Sequence, residues 1–169
     1  MPLRDDSPDD VQMSLISGVS VMKKSLSLAG ALALVSALPA AAELVTVPSQ
    51  KPVAETMDAL QAAVEGAGAT VFARVDHAGG AEKAGMELAG SQLLIFGNPK
   101  LGTPAMQADM RAGLYLPLKV LAYEDADGHV WLTYQDPAEM LSGLDVPADA
   151  EFIAKMRGAL GKLTAKAAE

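Results

Sequence analysis

The sequence predicts an α+β domain in which an antiparallel or mixed sheet of about five strands packs against helices. Three observations carry that prediction. Segments around 53–64 and 152–163 place apolar residues at helical spacing. Between them lie short runs with β-branched or alternating apolar character, such as Thr70–Asp76 and Leu93–Phe96. Asp125-Ala126-Asp127-Gly128 separates two further runs as a hairpin turn would.

The 169 residues suit one domain preceded by other segments. Residues 1–21 begin polar and acidic (Asp5, Asp6, Asp9, Asp10) and show no periodic apolar face. Met22-Lys23-Lys24 is basic, Ser25–Leu38 is uncharged and apolar, and Pro39–Ala42 is small, with Ala40-x-Ala42 before Glu43. That order is the order of a secretory signal peptide. About 14 apolar residues fall short of the ~20 that span a bilayer. No cysteine is present to carry a lipid. Residues 1–21 are therefore expected to be an over-long start, 22–42 a signal peptide and 43–169 an exported domain. Its expected location is the periplasm or beyond, without membrane association once the signal is removed.

Residues 43–169 hold 10 Lys+Arg against 17 Asp+Glu, a net charge of −7. A nucleic-acid role is not expected, because phosphate backbones are bound by clustered positive charge. With no cysteine, the domain relies on its core, and thiol catalysis, Fe–S clusters and Cys-ligated zinc are excluded.

Leu44–Val47 reads as the first strand, ended by Pro48. Pro52 opens a helix to about Glu65, with Val53, Met57, Leu60 and Val64 on one stripe and Gly66 and Gly68 at its end. Thr70–Asp76 alternates as the second strand and delivers His77 at its end. Ala81–Gly85 is a short helix. Leu93–Phe96 is a buried strand or a central strand covered on one side. Gly97-Asn98-Pro99-Lys100-Leu101-Gly102-Thr103-Pro104 reads as a shaped loop, with Thr103 capping a helix from Pro104 or Ala105 to Leu114. Leu118–Tyr123 and His129–Tyr134 flank the hairpin turn. Asp136-Pro137 starts a short helix to about Leu141, and Ala148–Lys166 forms the last one, with Phe152, Ile153, Met156, Leu160 and Leu163 on one face. Leu60, Val64, Ile95, Val120, Leu132 and Ile153 are the expected core.

Three stretches carry a family resemblance: VFARVDHAGGAEKAGMEL, IFGNPKLGTPAMQ and LPLKVLAYEDADGHVWLTYQDP. In order and spacing they resemble the domain of unknown function 302 (DUF302) family, over roughly Val47 to Leu141. The resemblance implies a compact α+β sandwich of sheet and helices, often dimeric, and no established activity.

Motifs that would fix a reaction are missing. There is no HExxH, no GxxxxGK[ST], no GxGxxG and no G-x-S-x-G. Asp125 and Asp127 fail the calcium-loop pattern after Gly128 and read as turn-formers. Methionines invite Cu(I), but Met57 and Met156 fall on core stripes and no Met–His cluster occurs. No cofactor or metal is expected, and whether any reaction is catalysed stays open. The expected function is a non-catalytic binding or interaction module. The alternative is a small enzyme or ligand carrier built around residues 97–103 and His77.

For that alternative, His77, Asn98, Lys100, Thr103 and Gln107 are expected to line one rim where strand ends meet. Lys100 and the backbone N–H groups would favour a small anionic or carbonyl-bearing ligand. The competing reading makes 97–104 a rigid connector, with Asn98 and Thr103 satisfying its backbone and His77 capping a helix. Tyr123 and Trp131, on adjacent strands of a domain poor in aromatics, are the expected contacts of a homodimer.

Overall fold

Alternation along two strands decides the architecture. In β4 (Leu118–Glu124) and β5 (Val130–Gln135), Leu118, Val120, Ala122, Val130, Leu132 and Tyr134 are buried. Their neighbours Lys119, Leu121, Tyr123, Trp131 and Thr133 are exposed or half-buried. A period of two sends the first set to one face of the sheet and the second set to the other. The computed structural model describes residues 44–169. The expected N-terminal extension (1–21) and signal peptide (22–42) lie outside the described residues.

Five strands form one sheet in the order β1-β5-β4-β3-β2, with every neighbouring pair antiparallel. The other strands are β1 (Leu44–Ser49), β2 (Thr70–Asp76) and β3 (Ser91–Gly97). Five helices join them: α1 (Val53–Gly66), α2 (His77–Lys83), α3 (Pro99–Ala108), α4 (Pro137–Met140) and α5 (Glu151–Ala168). A 3₁₀ turn at Met110–Leu114 follows α3. This is the expected α+β class, with the sheet wholly antiparallel.

The core lies between the sheet and the α1/α5 pair. Val53, Met57, Leu60 and Val64 of α1 and Ile153, Met156, Leu160 and Leu163 of α5 are all buried. They meet Leu94 and Phe96 of β3 and the buried residues of β4 and β5. Five of the six expected core residues are at most 1% exposed. Ile95 is the exception, because it stands between Leu94 and Phe96 and so points to the other face. Among the described residues, that other face has no helix whose buried side chains join it to the core.

Several boundaries differ from expectation for local reasons. β1 continues through Pro48 to Ser49, since an edge strand tolerates a missing N–H. The stretch expected as a loop is helical: α3 starts at Pro99, and the Asn98 Oδ1 accepts the Lys100 N–H at 2.9 Å. Proline at the first helical position loses nothing, because that N–H has no helical partner. Thr103 therefore lies inside α3 and does not cap it, and Pro104 follows it within the helix. α2 begins four residues earlier than expected because the Asp76 carboxylate caps it, accepting the Gly79 N–H at 2.9 Å.

Candidate functional site

Antiparallel pairing separates the five expected site residues. Thr70 lies opposite Gly97 and Asp76 opposite Gln92, so β2 and β3 finish at opposite ends of the strands. Asn98, Lys100, Thr103 and Gln107 follow β3 at one end of the strands, while His77 follows β2 at the other. Seven residues of β3 at ~3.3 Å each put the two ends about 20 Å apart. The single rim is thus corrected: His77, exposed at the start of α2, does not share a site with the α3 residues. Lys100 and Gln107 are exposed on α3.

Asn98 and Thr103 do come together, at a cavity of about 220 Å³ between the start of α3, the end of β3 and the 3₁₀ turn. Its walls include Phe72, Leu101, Met106, Leu116, Leu118 and Met156, together with Gly97, Gly102 and Gly113. Each has a local cause. A register shift between Val71 and Ala73 extrudes Phe72, which is 59% exposed. A Cβ on Gly97 would sit 3.4 Å from the Pro117 Cβ and 3.5 Å from the Phe72 Cε2, in ordinary contact with both walls. Met156 arrives from the buried face of α5. No lining residue carries a titratable side chain, and Lys100 is not among them. Such a surface can hold apolar matter and make two neutral hydrogen bonds, but it offers no nucleophile–base pair and no charge for an anion.

Charged groups elsewhere act on the backbone. Asp109 accepts from the Arg111 guanidinium at 2.6 Å and from the Asp145 N–H at 3.1 Å. The Arg111 hydrogen bond holds the Asp109 carboxyl well below the usual carboxylate range against the opposing effect of burial, and backbone donors from Arg111 and Asp145 add to the lowering. Asp125, Asp127 and His129 bring three ligand-type atoms within 4.8 Å of one another. Both Asp125 oxygens are already engaged, Oδ1 by the Asp127 and His129 N–H groups and Oδ2 by the Trp131 indole at 2.7 Å. The indole hydrogen bond is the largest reason the Asp125 carboxyl lies low. These hydrogen bonds fasten the hairpin turn.

The sequence did not point to Phe72, Leu116 or Met156 as neighbours of Asn98. Phe72 had a usable signal: it breaks the apolar alternation of β2, and a large aromatic on the polar side marks a bulge or a contact. The other two depend on long-range packing.

The family model for the domain of unknown function DUF302 matches residues 45–166. Among curated proteins, Fluoride-specific ion channel FluC 1 of Brucella suis biovar 1 (strain 1330) is 50% identical over 95 residues, which is 56% of this chain and 37% of that protein. FluC 1 of Brucella abortus biovar 1 (strain 9-941) is also 50% identical over 95 residues, covering 35% of its length. The chain thus matches about a third of the length of these relatives. The crystal structure of an uncharacterized conserved DUF302 protein from Bacillus stearothermophilus superposes with a TM-score of 0.66 at 18% identity, over 73% of this chain and 97% of that one. That likeness shows the fold.

Proposed function

The chain belongs to the DUF302 family, and from that premise we propose that it is an exported, non-catalytic interaction module that pairs with a second copy of itself. The observation that carries the pairing is the face of the sheet that no helix among the described residues covers. Tyr123 lies directly opposite Trp131, and Leu93 opposite Leu121, in one apolar field that Val75 and Ile95 extend. Lys119 is the one charged side chain that the registers of β1–β5 put on that face. Five strands ~4.8 Å apart and about 20 Å long make roughly 500 Å² in projection. Side-chain relief raises that toward the ~800 Å² per partner of a standard interface. Two copies with a net charge of −7 each repel over most of their surface, and the neutral face is where they can approach.

Export rests on the basic, apolar and small-residue order of 22–42. The non-catalytic reading rests on the uncharged cavity, which gathers no acid, base or nucleophile.

The curated relatives favour a second reading. Their shared segment forms part of longer proteins named as fluoride-specific ion channels. In that reading the domain is an accessory part that works beside a membrane channel, and its apolar face seats against that assembly. Among the described residues no helix is long and apolar enough to cross a membrane.

One experiment tests the main reading. The full chain is expressed in a bacterium and native mass spectrometry is run on the periplasmic fraction. The expected species is a pair of chains, each beginning within about two residues of Glu43, the residue after the small-residue cleavage pattern. An intact Met1 or Met22 terminus defeats export. A single-chain mass defeats the homodimer and leaves the accessory-part reading standing.

A further inference from the structure

The cavity beside α3 has a wall chemistry and a size that select one kind of ligand. We propose that it binds a small neutral molecule of about nine non-hydrogen atoms, with an apolar body and one hydrogen-bond-accepting oxygen, such as a ketone or ester. This goes beyond the pairing of the sheet faces and does not depend on it.

Size comes first. A 150 Å³ apolar cavity accepts benzene, so about 220 Å³ holds on the order of nine heavy atoms. Phe72, Leu101, Met106, Leu116 and Met156 supply a lining that the body of such a molecule can bury against, and methionine thioethers adapt to its shape.

Charge decides the head group. The lining offers no charged side chain to pair with a carboxylate or ammonium, so a neutral head group matches it better than either. Two neutral groups remain for a polar head. Asn98 spends its carbonyl oxygen on the Lys100 N–H, and its amide NH₂ has no partner among the described residues. The Thr103 hydroxyl, exposed at the mouth of the cavity, likewise has no protein partner among the described residues. The amide NH₂ donates only, and the hydroxyl can donate, so the pair matches an accepting oxygen.

Glycines keep the space open. A Cβ on Gly102 would lie 3.7 Å from the Leu116 Cδ1, and one on Gly113 would lie 3.4 Å from the Met106 Sδ. Neither backbone needs a positive φ, so larger side chains can be placed there to fill the cavity.

Acetophenone, with nine non-hydrogen atoms and one ketone oxygen, is the probe. Benzoate has the same atom count with a charge, and ethylbenzene has the body without the oxygen. Titrations of the full chain are followed by the methionine methyl and Asn98 side-chain NMR signals. Acetophenone is expected to reach half-saturation below about 10 mM, the weakest value that ordinary per-atom efficiency allows for nine atoms. It is expected to bind about tenfold more tightly than ethylbenzene and benzoate. Thr103→Val should bring acetophenone to the ethylbenzene level and leave ethylbenzene unchanged. Gly102→Leu should abolish binding of both, and Gly113→Met replaces it if that variant does not fold. Three results each overturn the proposal: a half-saturating concentration above about 10 mM, benzoate binding as tightly as acetophenone, or retained binding in the folded filled variant.

Discussion

Asp109 accepts the N–H of Arg111 at 2.9 Å and that of Asp145 at 3.1 Å, so one carboxylate joins the 3₁₀ turn to the segment before α5. Its side chain is 8% exposed, and Arg111 closes the other side through its guanidinium. Because the folded-state pKa is depressed, the stability it contributes is present above the unfolded-state value and is lost as pH falls toward the folded one. Asp109→Asn should therefore be less stable than wild type at pH 7, and the gap should narrow below pH ~4, where the unfolded carboxyl protonates. Urea midpoints at both pH values measure this, and a gap independent of pH would refute it. Asp125 follows the same logic at the hairpin, where it anchors the turn and the Trp131 indole together. Asp125→Ala should free that indole, broaden the Trp131 side-chain NMR signal, and leave the buried face of β5 intact.

Helix α1 shows how far local pattern reaches. Its stripe of Val53, Met57, Leu60 and Val64 is visible in the sequence at spacings of 4, 3 and 4, and all four are buried. Leu60 has no exposed surface, so Leu60→Ala should cost about 2–5 kcal/mol in chemical denaturation. A loss below about half a kcal/mol would mean that the site collapses without a cavity. The second strand, the hairpin and the short helix after Asp136 were legible for the same reason, since period and turn residues are local. α3 was legible only in part. Gly97, Pro99, Gly102 and Pro104 read as loop punctuation, yet Asn98 as cap and Pro99 at the first position are also a helix start. Asn98→Ala should cost about 0.5–2 kcal/mol as a lost cap, whatever occupies the cavity. The cavity itself and the separation of His77 from Asn98 were not legible. Both follow from which strands pair and in which direction, a long-range choice that no window of residues contains. Ile95 was misassigned to the core for a related reason: a four-residue apolar run does not say which of its two faces is covered.

At the scale of the whole described domain, the sheet has two apolar faces, and among the described residues its helices cover one of them. α1 and α5 cover the face of Leu94, Val120 and Leu132, while Leu93, Leu121, Tyr123 and Trp131 occupy the other. Leu93, Ile95, Leu121, Tyr123 and Trp131 are half-buried there, packed side by side across the strands, and Val75 beside them is exposed; apolar side chains gathered in one patch favour association. Pairing through it leaves the core untouched, so assembly and folding should separate under mutation. Leu121 sits near the centre of the field, with Leu93 on one flank and Thr133 on the other. A lysine there would place two like charges against each other across a symmetric contact, since each copy presents the same patch. Leu121→Lys should halve the mass seen by light scattering at about 50 µM, a concentration at which a micromolar dimer is mostly associated. Its circular dichroism should match wild type, because Val120 and Ala122 still point into the core. Tyr123→Lys, one pleat along the same face, should do the same and serves where the first variant folds poorly. Lys166→Glu, exposed on α5 and away from this face, should leave the mass unchanged. If both β4 variants keep the two-chain mass, the copies meet elsewhere. If wild type scatters as a single chain at that concentration, the homodimer proposal fails.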